Sequence, residues 1–252
     1  MKVIASDYDG TLNQNRIVSK EDMDAIRRWR QAGNRFGVIT GRNLQGILHE
    51  MHYYSCPFDF LICNNGCVLY NEKAELLEDR AGDGAVLPDL CGFLIEQKGL
   101  HVAVTGTEGR CCVEYEGQVP GEGDPWIPLS KTAQIQRFTQ VDTHFHTEEE
   151  ASALAAAVNE RFHGRVTAFQ NGGNVDIVPF GVSKAGGLTR YLELMKIPAS
   201  QAVTVGDNLN DLDMLLAFGG YAIASGRPEV AKQAGKTCKN VADLVGILTR
   251  VD

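Results

Sequence analysis

Residues 3–12, "VIASDYDGTL", decide how the rest of the chain is read. An apolar run stops at Asp7, a second carboxylate follows two positions on at Asp9, and Gly10 and Thr11 come directly after. A short apolar run closed by turn residues is a buried strand. Two carboxylates at that spacing repel each other unless a proton or a cation intervenes.

Outward from that stretch, strand and helix alternate. "SKEDMDAIRRWRQAG" (19–33) predicts a helix with Ser19 as N-cap, Met23, Ile26 and Trp29 on one face, and Gly33 as its stop. "RFGVIT" (35–40) is a second buried strand. "NLQGILHEMHYY" (43–54) is a helix with Leu44, Ile47, Leu48 and Met51 at helical spacing, and "FDFLICNNG" (58–66) is a third strand running into turn residues. The same grammar returns late in the chain: helix "SKAGGLTRYLELMKI" (183–197), strand "AVTVG" (202–206), helix "NDLDMLLAFGG" (210–220) and strand "YAIAS" (221–225). This order predicts an α/β fold, a Rossmann-like doubly wound parallel sheet with helices on both faces.

The middle of the chain follows another pattern. "HVAVTGTEGRCCVEYEG" (101–117) and "RVTAFQNGGNVDIVP" (165–179) read as hairpins, and "TEEEASALAAAVNERFHG" (147–164) as a helix opened by a Thr147/Glu150 capping box. The simplest organisation is an α/β core over 1–81 and 180–252 with an inserted α+β cap over 82–179. The hinges then fall in "EDRAGDG" and "VPFGV", which carry the Gly and Pro expected of boundaries.

Composition removes several function classes. The chain has 252 residues, 24 basic against 32 acidic for a net charge of −8, and no Lys/Arg cluster long enough to form a basic face, which argues against nucleic acid or an anionic membrane as partner. No apolar run approaches the roughly 20 residues of a membrane span. The opening lacks the pattern of a signal peptide, so a cytoplasmic location is expected. The seven cysteines are an odd number with no C-x-x-C spacing, which favours buried thiols over disulfides or a zinc site.

In an open parallel sheet, ligands bind beyond the carboxyl ends of the strands. Those ends here read Asp7-Tyr8-Asp9-Gly10-Thr11, Thr40-Gly41-Arg42, Asn64-Asn65-Gly66 and Gly206-Asp207-Asn208-Leu209-Asn210-Asp211. Gathering Asp7, Asp9, Asp207 and Asp211 at one edge demands a cation, and an oxygen-only donor set points to Mg²⁺. Thr40 and Gly41 offer a hydroxyl and backbone N–H groups near a helix start, and Lys184 offers a point charge. Metal, anion cradle and lysine together describe a site for a phosphoryl group. One carboxylate must act as nucleophile or general base. If Asp7 attacks phosphorus, Asp9 is placed to protonate the leaving oxygen and then to activate water. Gly10 lets the chain turn, and Thr11 braces that turn.

Each segment alone has a plainer reading: D-x-D-G-T is often just a turn, and a lone Thr or Lys a cap or a solvated side chain. Their joint order resembles the haloacid dehalogenase-like superfamily, Cof-like type IIB branch. "DYDGTL" is similar to its first motif, Thr40 to its second, Lys184 to its third and "GDNLND" to its fourth, with the insertion where the C2-type cap sits. The resemblance implies Asp7 as nucleophile and metal ligand, and Asp9 as acid/base that meets the metal through its carbonyl. Thr40, Lys184 and Asn210 would contact phosphate, Asp207 would bind Mg²⁺ directly, and Asp211 would act through water or by bracing Lys184. Two departures stand out: "SKAGGL" has no Gly directly after the lysine, and Asn13 replaces an apolar residue.

Arg42 and Asn65 either touch substrate or only close their loops. Asp213, two positions past Asp211, is expected on another helix face and solvated. His49 and His52 read as surface or rim residues, and His144-x-His146 as plain strand. The implied activity is a Mg²⁺-dependent phosphatase of small phosphorylated metabolites, sugar phosphates first, with a phosphotransferase or mutase and a non-catalytic phosphometabolite sensor as the alternatives.

Overall fold

The computed structural model describes residues 1–116, 118 and 123–250. They form two compact units, Met1–Glu78 with Ser183–Asp252, and Asp79–Val182. Among the described residues, no helix is long and apolar enough to cross a membrane.

The first unit begins with β1 (Val3–Asp7), buried at all five positions. A tight hairpin of β2 (Asn13–Gln14) and β3 (Ile17–Val18) follows. Then come α1 (Lys20–Gln31), β4 (Arg35–Ile39), α2 (Leu44–Tyr53), β5 (Phe60–Cys63), β6 (Val68–Asn71) and β7 (Leu76–Asp79). Ser19 caps α1 by accepting from the Asp22 N–H, and Asn43 caps α2 by accepting from the Gly46 N–H, so both helices start where a side-chain oxygen satisfies an orphan donor.

The inserted unit carries β8 (Gly82–Asp83), α3 (Leu87–Glu96), β9 (Val102–Gly106), β10 (Gly109–Glu114), β11 (Trp126–Pro128), β12 (Arg137–His144), α4 (Glu148–Arg161), β13 (Val166–Asn171) and β14 (Asn174–Pro179). Its strands run in the order β11-β10-β9-β12-β14-β13, with β8 paired to β12. Every pairing is antiparallel except β10 with β11. Helices α3 and α4 share one core with the sheet, built from Leu90, Leu94, Leu154, Val158, Val104 and Ile177. The Thr147/Glu150 capping box forms.

The chain then re-enters the first unit through α5 (Lys184–Leu194), β15 (Ala202–Gly206), α6 (Leu212–Ala217), β16 (Tyr221–Ile223), α7 (Pro228–Ala234), β17 (Thr237–Cys238) and α8 (Val241–Arg250). The sheet order is β17-β16-β15-β1-β4-β5-β6-β7, with the six strands from β17 to β5 parallel. The order of strand addition therefore reverses beside β1: the chain first steps outward to β4 and β5, then returns to lay β15 on the other flank. That reversal opens a crevice at the carboxyl ends of β1 and β15.

Side-chain parity decides which helices meet which strand residues. Ile4 packs with Ile26, Trp29, Ile47, Met51 and Leu244 on the α1/α2/α8 face. Val3 and Ala5 pack with Leu188, Tyr191, Leu192 and Met214 on the α5/α6 face. Burial of each large apolar side chain contributes roughly 1.5–3 kcal/mol, so both faces are firmly seated. By the same two-residue period, Asp7 ends β1 on the α5/α6 side.

One edge of the sheet departs from the parallel reading. β6 pairs antiparallel with β5, and β7 lies outside it. The left-handed Asn64, Asn65 and Gly66 (φ 50°, 53° and 104°) reverse the chain at the end of β5 and make this possible.

Candidate active site

Asp7 is buried, and its Oδ1 accepts from Lys184 Nζ at 2.7 Å. The same ammonium donates to Asp211 Oδ1 at 2.5 Å. Lys184 opens α5 behind its N-cap Ser183, and Asp211 ends the tight turn Leu209–Asp211 that follows β15. The remaining oxygen of Asp211, Oδ2, accepts the backbone N–H groups of Asp207 and Asn208, each at 3.0 Å. Asp211 therefore braces the lysine and its own loop at once, with both oxygens committed.

Asp207 is fixed from the opposite end of the chain, where Thr11 Oγ1 donates to Asp207 Oδ1 at 2.7 Å. Thr11 was expected to brace its own turn; it instead ties that turn to the loop after β15. Gly10 explains the closeness of the two loops. Its φ is +88°, and a Cβ there would sit 2.4 Å from Asp207 Oδ2. A second close approach sets α5 against the end of β5, since a Cβ on Gly187 would lie 2.7 Å from the Gly66 Cα. Gly187 thus does the packing, and the residue directly after the lysine, Ala185, is free to carry a methyl group.

One carboxylate oxygen from each of Asp7, Asp207 and Asp211 lies within 4.8 Å of the others. Burial, and then the Asp211 charge, push the Asp7 carboxyl well above its usual range against the pull of Lys184, with Asp207 adding to the rise. Burial likewise raises Asp207 to about 6; the Thr11 hydrogen bond opposes the rise and Asp211 adds to it. Burial works against the Lys184 ammonium, but Asp211 and Asp7 outweigh it and raise its pKa. A crowded acidic group with one lysine fits a small divalent cation. Asp7 and Asp207 are the carboxylates with capacity to hold it, because Asp211 is spent on Lys184 and the loop.

Asp9 does not join this group, contrary to the expectation from its spacing. β1 ends at Asp7, the chain turns, and the period-two rule stops applying. The Asp9 carboxylate, half exposed, pairs bidentately with Arg42: Nε to Oδ2 at 2.8 Å and Nη2 to Oδ1 at 2.7 Å. Arg42 also reaches Glu50 Oε1 at 3.3 Å, and Glu50 Oε2 accepts from Tyr8 OH at 2.9 Å. Arg42 thus joins the Asp9 carboxylate, in the turn after β1, to α2. Sequence reasoning missed Glu50 and Tyr8; Glu50 lies eight positions past Arg42 on the predicted helix, a weak signal.

Thr40 is buried, and its Oγ1 accepts the Arg42 N–H at 3.1 Å, which leaves the hydroxyl proton for a ligand. Gly41 lies between them, half-buried. Asn65 is buried in the left-handed turn, where its N–H bonds Thr40 O at 2.9 Å, and Asn64 N–H bonds Arg42 O at 3.0 Å. These two bonds join the ends of β4 and β5. Asn210 is half-buried in the turn 209–211, and its side chain forms no hydrogen bond among the described residues.

Asp213 is a correction. It is half-buried, and its Oδ2 accepts the Ala185 N–H at 3.1 Å. The tight turn before α6 places it in that helix's first turn, where it caps α5 beside Lys184. His144 bonds Asn174 through Nδ1 at 3.0 Å, as a strand residue would, and all seven cysteines are free.

A doubly wound α/β core with an acidic cluster at its reversal point, carrying an inserted α+β unit, defines a class of hydrolases. The family model for haloacid dehalogenase-like hydrolases matches residues 4–250, and the chain belongs to that family. A similar curated protein is the pyridoxal phosphate phosphatase YbhA of Escherichia coli, 25% identical, with 92% of this chain and 90% of that one aligned. Among solved structures, BT1666 of Bacteroides thetaiotaomicron superposes with a TM-score of 0.80 at 22% identity, covering 99% of this chain and 94% of that one. The HAD subclass IIB sugar phosphatase BT4131 gives 0.80 at 16% identity over 100% and 99%.

Proposed function

We propose that the protein is a Mg²⁺-dependent phosphatase that hydrolyses small phosphorylated metabolites, sugar phosphates first among them, through an aspartyl-phosphate on Asp7. The observation that carries this reading is the buried Lys184 held between Asp7 and Asp211, with the Asp207 carboxylate beside them.

In the first step an Asp7 oxygen bonds to phosphorus and the bond to the leaving oxygen breaks. Asp9 gives that oxygen its proton, and the alcohol departs. In the second step Asp9 takes a proton from water, the water oxygen bonds to phosphorus, and the acyl-phosphate bond breaks to return Asp7 and inorganic phosphate. Lys184, the Thr40 hydroxyl, the N–H groups around Gly41 and the Asn210 side chain neutralise and orient the phosphoryl oxygens. Asp7 and Asp207, with Asp211 behind them and the Asp9 carbonyl as a further oxygen donor, would hold Mg²⁺, which would supply charge stabilisation to those oxygens and shield Asp7 from the incoming dianion. Arg42 holds the Asp9 carboxylate apart from the acidic cluster, and Asn65 holds the Thr40 loop.

The test is phosphate release over a panel of phosphometabolites with Mg²⁺ and with chelator, beside Asp7→Asn. Turnover that needs both Mg²⁺ and Asp7 supports the reading; turnover that survives either loss overturns it. Transfer of phosphate to a second sugar would favour the mutase. Ligand-dependent stabilisation with no turnover would favour the sensor.

A further inference from the structure

A cavity of about 600 Å³ lies between the β2–β3 hairpin and α2, lined by Asp9, Gly10, Asn13, Arg16, Arg42 and Tyr53 among others. It shares two residues with the catalytic loop, and its charges are unevenly paired. Arg42 is matched by Asp9 and Glu50. Arg16 has no side-chain partner among the described residues, although it stands in the wall of the same cavity.

The position of Arg16 is also conformationally costly. Asn15 and Arg16 both adopt left-handed backbone angles, φ 54° and 63°, in the two-residue turn of the hairpin. The second of these positions is one that glycine normally takes. An arginine kept there runs against local preference, a feature that often marks a functional position. The turn is anchored, since Tyr54 OH donates to the Arg16 carbonyl at 2.8 Å. Opposite, the Tyr53 and Tyr54 rings meet edge to face at 4.9 Å, an aromatic wall suited to C–H groups. Asn13, largely buried in the same lining, has an Oδ1 with no hydrogen-bond partner.

We propose that this cleft is the leaving-group subsite, and that Arg16 selects phosphomonoesters whose leaving group carries a second anionic group, a carboxylate or another phosphate. The proposal rests on Asp9 as the proton donor of the phosphatase reading. The oxygen that receives the proton must lie beside Asp9, so the rest of the leaving group departs along the wall that Asp9 and Gly10 share with the cavity. There the unpaired guanidinium offers planar, charge-assisted hydrogen bonds to an anion. Arg16 is thus assigned to substrate recognition.

Two matched substrate pairs test this: 3-phosphoglycerate against glycerol 3-phosphate, and fructose 1,6-bisphosphate against fructose 6-phosphate. The native protein should prefer the anionic member of at least one pair in kcat/KM, and the responding pair identifies carboxylate or phosphate. R16G should reduce that preference about tenfold, with the loss falling on KM, and R16K should restore part of it. Glycine suits the turn, so R16G should unfold at no lower denaturant concentration than the native chain. A native protein without preference in either pair, or a preference that survives in R16G, overturns the proposal. If none of the four is hydrolysed, calorimetric binding of the same four compounds to native protein and R16G decides the subsite by the same criterion, while the phosphatase reading stands or falls on the wider panel with Mg²⁺ and Asp7→Asn.

Discussion

Replacing Lys184 by methionine isolates the charge arrangement at the heart of the site. The Lys184 side chain is 2% exposed and its partners Asp7 and Asp211 are 8% and 1% exposed, so the two carboxylates would lose their counter-ion where water cannot replace it. Removing one partner of a buried ion pair costs about 3–5 kcal/mol, because an uncompensated charge stays behind or must take up a proton. Urea unfolding in chelator, read from Trp29 fluorescence in α1 with Trp126→Phe as background, reports on this unit alone. Lys184→Met should lose about 3–5 kcal/mol. Adding Asp211→Asn should recover about 1–2 kcal/mol of it, since the second substitution removes one of the stranded charges. A loss under about 1 kcal/mol, or a double variant that loses the sum of the two singles, would refute the paired-charge reasoning.

Two glycines one position apart on α5 should behave oppositely. Gly187→Ala places a methyl group 2.7 Å from the Gly66 Cα and should cost about 1–3 kcal/mol in thermal unfolding and lower kcat, whereas Gly186→Ala meets only Ser183 Oγ at 3.5 Å and should stabilise by roughly 0.5–1 kcal/mol. In the inserted unit, burial opposes the Asp142 charge, but the hydrogen bond from His101 at 2.9 Å and the Arg110 guanidinium at 2.8 Å outweigh it and hold the carboxyl below 3.8. Its stabilising contribution is therefore fully present above pH 3.8 and is lost as pH falls through the depressed value. Asp142→Asn should destabilise this unit by about 2 kcal/mol at pH 7, with the deficit shrinking below pH 4 when unfolding is followed through Trp126.

Much of the fold could be read locally. Ser19, Asn43 and the Thr147/Glu150 pair announce their helices because capping is decided within four residues, and β1, β4 and β15 announce themselves as short apolar runs. The antiparallel edge of β6 and β7 was not legible, since Leu76 is exposed and neither strand alternates clearly. The same division runs through the site. Asp7, Thr40, Lys184 and Asp207 stand at element ends that periodicity locates. The Thr11 bond to Asp207 and the Lys184 bond to Asp7 join residues 196 and 177 positions apart, which no local pattern encodes. Asp9 was misplaced for a related reason: alternation describes strands, and the strand ends at Asp7. Asp213 was misplaced because the tight turn before α6 changes which way the helix's first residues face.

The central claim, that Asp7 becomes phosphorylated, can be read directly by mass. Asp9→Asn protein, which lacks the base for the second step, is mixed with Mg²⁺ and p-nitrophenyl phosphate, whose leaving group departs without the proton that Asp9 supplies in the first step, then quenched in acid and digested. The peptide containing residues 3–12 should gain the mass of one phosphoryl group, and Asp7→Asn combined with Asp9→Asn should gain none. An adduct on any other peptide, or one that persists without Asp7, would contradict the account.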